Sequence, residues 1–272
     1  MIKQAIIPLA GLGTRLLPLT SVIPKELLPI NGRPGLEYIL DECISAGIKD
    51  IIFVISKKKN VIKKYFHNDS FYKKIIKLKK NDKKLKHLYK RIKSYKRNIK
   101  FVYQNSPKGT GDAILKCERL IKSKYFLVLL PDDLIIKKNC SIDMIKIYKR
   151  YKSSVIAAKK VNRRDVKRWG IFKIGKRYSK NSYSVSDVVE KPSIKDAPSN
   201  LAVIGRYILP KEIFKVLKKQ KPGKNNELHV TDAIRNLIRN KNKFLCHNFA
   251  GKYLDCGTMK GFINSSLEIS KI

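Results

Sequence analysis

Apolar positions along the chain follow two different periods. The continuous runs in "KQAIIPLAG" (Lys3 to Gly11) and "IIFVIS" (Ile51 to Ser56) read as strands buried on both faces. Between them, "GLEYILDECISAGIKD" carries apolar side chains at helical spacing, with Gly47 where a helix C-terminus belongs. This strand–helix–strand succession implies a parallel pair joined by a right-handed crossover. The segment from Lys57 to Lys100 reads as mostly helix, and "IKFVYQ" (Ile99 to Gln104) as a third strand. "GTGDAILKCERLI" then starts a helix directly after a glycine turn, and "YFLVLLPDD" is a strand closing on two aspartates. The amphipathic "SIDMIKIYKRYK" and the strand "SSVIAAKKV" complete a β-α-β-α-β-α-β rhythm, the mark of a doubly wound sheet.

From Trp169 the texture changes to the short strands "GIFKIG", "YSVSDVVEKP" and "LAVIGRYIL", and helical patterns return at "KEIFKVLKKQ" and "VTDAIRNLIRN". No internal repeat, Pro/Gly/Ser linker or low-complexity tail interrupts the 272 residues. The expectation is one α/β domain with a small antiparallel insertion and a helical C-terminus.

Composition changes this picture little. The hydrophobic fraction of 43% is ordinary for a globular protein. No apolar run is long enough to span a bilayer, and the first run lacks a signal-peptide cleavage pattern, so the expectation is a cytoplasmic chain with no membrane partner. Five cysteines without a C-x-x-C pair suit buried, reduced thiols. The net charge of +40 invites a nucleic-acid reading. Lysines nevertheless occur in almost every segment, and Lys57 to Lys100 holds 19 basic and 2 acidic residues with aromatics at helical core spacing. A solvated basic helical face is the preferred reading there.

Candidate chemistry concentrates at strand ends. In "LAGLGTRLLPLTSVIPKELLPI", Gly11 and Gly13 let the backbone turn sharply and approach a ligand, with N–H groups free to meet oxygen anions. Arg15 adds a fork suited to phosphate and Lys25 a mobile point charge. The stretch describes either a polyphosphate pocket or a tight surface turn with solvated cations. It is not a P-loop, since no G-K-[ST] follows, and Leu16 stands where a dinucleotide fingerprint needs its third glycine. "LPDD" (Asp132, Asp133) offers a Mg²⁺ anchor or an Asp-rich turn, and "YLDCGT" a further carboxylate, Asp255. In "VVEKP", Glu190 and Lys191 suit sugar hydroxyls and a phosphate, or form an exposed ion pair; Pro192 favours a break in the strand there. The four histidines show no metal-ligand spacing.

Taken together, "PLAGLGTRLLPLTSVIPKELLPI", "LPDDL", "VVEKP", "APSNLAVIGRYIL", "ELHVTDAI" and "LDCGT" resemble the bacterial UTP–glucose-1-phosphate uridylyltransferases in order and spacing, over essentially the whole chain. The resemblance implies a Rossmann-like nucleotidyltransferase fold with a mixed, mostly parallel central sheet, in which residues 1–160 bind nucleotide and 161–272 bind sugar phosphate. It further implies that Ala10, Gly11, Gly13 and Thr14 cradle UTP with Arg15 and Lys25 on its triphosphate, and that Gln104 and Gly109 meet uracil. Asp132 and Asp255 would hold Mg²⁺, while Gly170, Glu190 and Lys191 would take glucose 1-phosphate. The products would be UDP-glucose and pyrophosphate, and such enzymes are typically homodimers or homotetramers. Several positions depart from the pattern: Thr110 and Asp112 stand within a run that is usually glycine-leucine-glycine-histidine, Asn225 and Asn226 where a glycine and an acid are common, and His229 where glutamine is usual. The rival readings are a sister enzyme using dTTP or CTP, and a basic nucleic-acid-binding protein with a lapsed site.

Overall fold

In the computed structural model, residues 2–80 and 82–272 are described. The chain opens with β1 (Gln4–Pro8) and a glycine-rich loop, then a ribbon of β2 (Pro29–Ile30) and β3 (Arg33–Pro34) leads into α1 (Gly35–Ser45) and β4 (Asp50–Ile55). Helices α2 (Asn60–His67), α3 (Asp69–Leu78) and α4 (Lys83–Lys96) precede β5 (Ile99–Tyr103). Next come α5 (Gly109–Leu115), β6 (Tyr125–Leu129), β7 (Asp133–Ile136), α6 (Cys140–Tyr151) and β8 (Ser154–Lys160). The remainder comprises β9 (Gly170–Ser179), β10 (Ser182–Glu190), β11 (Leu201–Pro210), α7 (Ile213–Lys219) and α8 (Val230–Arg239), then β12 (Phe244–Asn248), β13 (Lys252–Asp255) and α9 (Met259–Ser270).

Nine strands form one sheet in the order β5-β4-β1-β6-β11-β8-β12-β10-β9. Its first four strands are parallel, as the apolar runs and crossover helices require. The expected parallel order belongs to that half. Strand β11 enters antiparallel to both β6 and β8, and β9 and β10 pair antiparallel, so the second half is mixed. β12, which the sequence pattern leaves unassigned, adds parallel to β8. Every residue of β11 is buried, which suits a central strand covered on both faces. One core lies under α1, α2, α4 and α6, the other under α5, α7 and α8, where Phe126 stacks on Phe214 at 5.3 Å. Each fully buried side chain of this size contributes about 1.5–3 kcal/mol.

The basic segment is helical as expected. Its face toward the sheet buries Ile62, Phe66, Ile92 and Tyr95, and its remaining lysines are mostly solvated. No helix among the described residues is long and apolar enough to cross a membrane.

Two buried ion pairs brace the loops at the carboxyl ends of β1 and β6. Lys59 donates to the carbonyl of Leu9 at 2.7 Å and to both oxygens of Glu26 at 2.8 Å, tying the loop after β1 to the turn that carries Lys25. Arg206 on β11 grips Glu42 of α1 and donates to the carbonyl of Leu130, just past β6. Removing one partner of such a pair strands a buried charge. Lys59→Met is therefore expected to cost about 3–5 kcal/mol, whereas Lys100→Ala, which breaks an exposed pair with Asp50, should cost no more than about 1 kcal/mol. Urea midpoints of the two variants check the contrast.

Candidate active site

The loop after β1 closes on itself through Gly13. Its φ of +72° is a left-handed conformation that glycine adopts without steric cost, and its carbonyl accepts from the Thr20 hydroxyl at 2.8 Å. Gly11 is different. A Cβ there would touch nothing of the protein, so its bareness leaves room for something outside the chain. Together with Ala10, Leu12, Thr14, Lys25, Gln104, Gly109 and Asp132, the two glycines line a cavity of about 430 Å³ at the carboxyl ends of β1 and β6, where open α/β sheets take their ligands.

The two aspartates that leave β6 go separate ways. Asp132 faces the cavity, where one of its oxygens accepts from Lys25 Nζ at 2.6 Å and from Arg15 Nη2 at 3.4 Å. Asp133 turns inward and accepts from the Tyr253 hydroxyl at 2.6 Å and from the Gly205 amide at 2.8 Å. The carboxylate pair suggested by "LPDD" is thus divided, and only Asp132 is available to a ligand. Burial alone would draw the Lys25 ammonium downward, but Asp132 and Glu26 outweigh it and raise it above the usual lysine value. Burial likewise works to raise Asp132, yet Lys25 and Arg15 hold it below the usual carboxylate range. For Asp133, burial and the neighbouring Asp132 charge act together and push the carboxyl up to about 6.

Asp255 arrives at the same place on β13, whose antiparallel pairing with β7 sets it opposite Asp133, and the Cys256 amide donates to the Asp132 carbonyl at 2.7 Å. Gly257 shows how tight this corner is. A Cβ there would lie 2.6 Å from Arg15 Nη2, 2.9 Å from Asp132 Oδ2 and 3.1 Å from Asp255 Oδ1. Carboxylate oxygens of Asp132 and Asp255, distant in sequence, thus lie on either side of one glycine, with Arg15 held by Asp132. Arg168, which the sequence reading did not single out, stands 3.5 Å from the other oxygen of Asp255. Gly205 is likewise absent from the sequence candidates. A side chain there would strike Asp133 and come within 2.5 Å of Leu130 Cβ, a close approach that a glycine inside an apolar strand can signal.

At the opposite end of the cavity Gln104 is buried, and its backbone amide continues the β4 pairing by donating to Ile55. Gly109 has φ +92°, and any Cβ would sit 2.6 Å from the Leu228 carbonyl, so no other residue fits.

Gly170, Glu190 and Lys191 form a separate group outside the cavity lining. Gly170 pairs with Glu190 across β9 and β10. Lys191 leaves the strand in a left-handed conformation, φ +47°, which brings its ammonium to 4.0 Å from Glu190 rather than to the opposite face. Both side chains are half exposed. The break that Pro192 favours occurs one residue before it.

The nucleotidyl transferase family profile matches residues 4–272. The chain belongs to the nucleotidyl transferase family. A UTP–glucose-1-phosphate uridylyltransferase 2 of Streptococcus pyogenes is 38% identical over 272 residues, covering 98% of this chain and 90% of that protein. A solved UDP-glucose pyrophosphorylase in complex with UDP-glucose superposes with a TM-score of 0.88 at 37% identity, covering 100% of this chain and 99% of the other. The UTP-bound enzyme from Acinetobacter baumannii gives 0.87 at 32% identity, covering 99% and 93%. The likeness drawn from six short motifs thus extends over the full nucleotidyl transferase fold.

Asp133 supplies a pH signature for this site. Between about pH 4 and its folded-state pKa of about 6, the native protein holds a proton that the unfolded chain has released. Stability is therefore lost as pH rises through that window. Asp133→Asn should flatten that loss, as measured by urea titrations across the window without added divalent ion.

Proposed function

We propose that the chain makes UDP-glucose and pyrophosphate from UTP and α-D-glucose 1-phosphate. The observation that carries the reading is a glycine-floored cavity lined by Lys25 and Asp132 at one end and Gln104 at the other, with Arg15 bonded to Asp132 and Asp255 close by at Gly257. A triphosphate fits the cationic end and a base the amide end. Sugar-phosphate oxygen attacks the α-phosphorus in line with departing pyrophosphate, and since that oxygen is already ionised at neutral pH, no general base or covalent intermediate is needed.

What the site must overcome is the repulsion of two anions, about 4 kcal/mol for two unit charges 4 Å apart at an effective dielectric of 20. Arg15 and Lys25 neutralise the triphosphate, while Lys191 holds the attacking phosphate and Glu190 the sugar hydroxyls beside Gly170. Fixing both reactants in register is worth roughly 7–11 kcal/mol over free encounter. Asp132 and Asp255 are hard oxygen donors suited to Mg²⁺, which usually takes one or two carboxylates together with substrate phosphates and would here spread the charge of the triphosphate. In this proposal residues 1–160 serve the nucleotide and 161–272 the sugar phosphate, in a cytoplasmic homodimer or homotetramer. Nucleic acid is not a partner.

Pyrophosphate release with glucose 1-phosphate and each of UTP, dTTP, CTP and ATP tests the proposal. UTP should dominate, and release without UTP preference would favour a sister enzyme. No release, with steeply salt-dependent DNA or RNA binding, would favour the lapsed-site reading. Lys191→Ala is expected to raise KM for glucose 1-phosphate far more than for UTP, and equal effects would remove Lys191 from its role. Asp132→Ala should abolish Mg²⁺-dependent turnover while leaving the circular dichroism spectrum unchanged.

A further inference from the structure

The reading of Gln104 as the residue that meets the base rests on the proposed function, and Asp112 gives that reading a direction. Gln104 Nε2 donates to the Gly109 carbonyl at 3.1 Å and to Asp112 Oδ2 at 2.7 Å. Both partners can only accept, so the nitrogen, not the oxygen, must face them. A side-chain amide has two hydrogens, and both are used. Oε1 is then the polar atom left for a ligand, and among the described residues nothing donates to it, although Gln104 lines the cavity.

The local structure holds this arrangement. Asp112 sits in the first turn of α5, and side chains on a helix lean toward its N-terminus, here over the bare Gly109 three residues earlier. The far oxygen of Asp112 stands 3.8 Å from Lys116 Nζ, one turn on, which keeps that cation away from the amide. Gly111 N donates to the Leu228 carbonyl at 2.7 Å, so the turn itself is fixed against the chain before α8. Thr110, which departs from the family pattern in the same run, accepts from the Val230 amide at 3.4 Å and so serves the same junction.

We infer that Asp112 is a positioning residue that makes Gln104 a pure hydrogen-bond acceptor and thereby selects nucleotides whose base presents a ring N–H. Uracil and thymine carry such a donor at N3, in the middle of the base-pairing edge. Cytosine carries a lone pair there and would set two acceptors face to face, leaving a buried polar pair unsatisfied. The device rejects CTP and does not separate UTP from dTTP, whose extra methyl lies away from N3.

The test compares kcat/KM for UTP and CTP in the full-length protein and three variants. Asp112→Ala, which is compatible with a helix, should narrow the UTP/CTP ratio by about 10-fold or more through KM, with kcat little changed. Asp112→Asn keeps an acceptor oxygen of the same size and should retain the ratio. Gln104→Ala should collapse the ratio. An unchanged ratio in Gln104→Ala would refute base reading by Gln104 itself. A collapsed ratio there with an unchanged one in Asp112→Ala would overturn only the role of Asp112. In the ¹⁵N spectrum of the unaltered protein, the Gln104 side-chain NH₂ protons should be shifted downfield and protected from solvent exchange. Solvent-like, fast-exchanging protons would overturn the inference without any variant.

Discussion

The exit of β6 is clamped by β11, and the position of the candidate site follows from that contact. Leu130 N donates to the Gly205 carbonyl at 2.7 Å, while Arg206 returns a hydrogen bond to the Leu130 carbonyl at 3.0 Å. The guanidinium is fully buried and is balanced by Glu42, which also accepts from Ser141 at 2.5 Å. An arginine this deep is tolerated only with its donors met, and here they are met by α1 and by the chain that leads to the aspartates. The clamp lets consecutive carboxylates face opposite environments. One is drawn below its usual range by cations in the cavity, and the other is pushed up by burial.

In a chain of net charge +40, the informative charges are the acids. Glu37 is fully buried and receives Arg33, Arg91 and the Tyr65 hydroxyl, which ties α1 to the basic helices. Glu26 holds Lys59, Glu42 holds Arg206, and Asp112 holds Gln104. Many lysines face water and can be exchanged for one another. Each of these acids has a particular partner far along the chain or across a turn, where its loss would leave a donor or a cation unmatched.

The parallel half of the sheet, the glycine loop and the basic helices are legible in the sequence because they depend on local periodicity and on glycine placement. "FLCHN" is less so. β12 is short, and its pairing with β8 depends on a contact across 90 residues, from Ser154 to Phe244. Gln104 comes from family pattern alone, whereas Asp132 and Asp255 are also visible as carboxylates at strand ends; the fold brings those two close, but neither source reveals that Asp133 turns away. The braces are illegible for a plain reason. Lys59 lies in a run of three lysines, and only the approach of Leu9 and Glu26 marks it out from its neighbours. Gly205 could have been found, since a glycine in an otherwise continuous apolar strand signals close backbone approach.

The electrostatics of the cavity without substrate bear on how anions could enter it. Lys25 and Arg15 rest on Asp132, and Arg168 rests on Asp255, so neither carboxylate stands unpaired before a ligand arrives. Lys25 is raised rather than lowered by its surroundings, so it stays charged at any physiological pH despite its burial. In the proposed reaction these cations pass from carboxylate to phosphate, and Asp132 and Asp255 would then be free to hold a divalent ion, so each charge exchanges one partner for another. Such an exchange avoids the cost of exposing a naked buried charge at either end. It also limits what the site can bind tightly. A neutral ligand of the same shape would leave Lys25 and Arg15 on Asp132 and gain nothing from them, so selection for polyphosphate follows from the resting ion pairs as much as from the shape of the glycine loop.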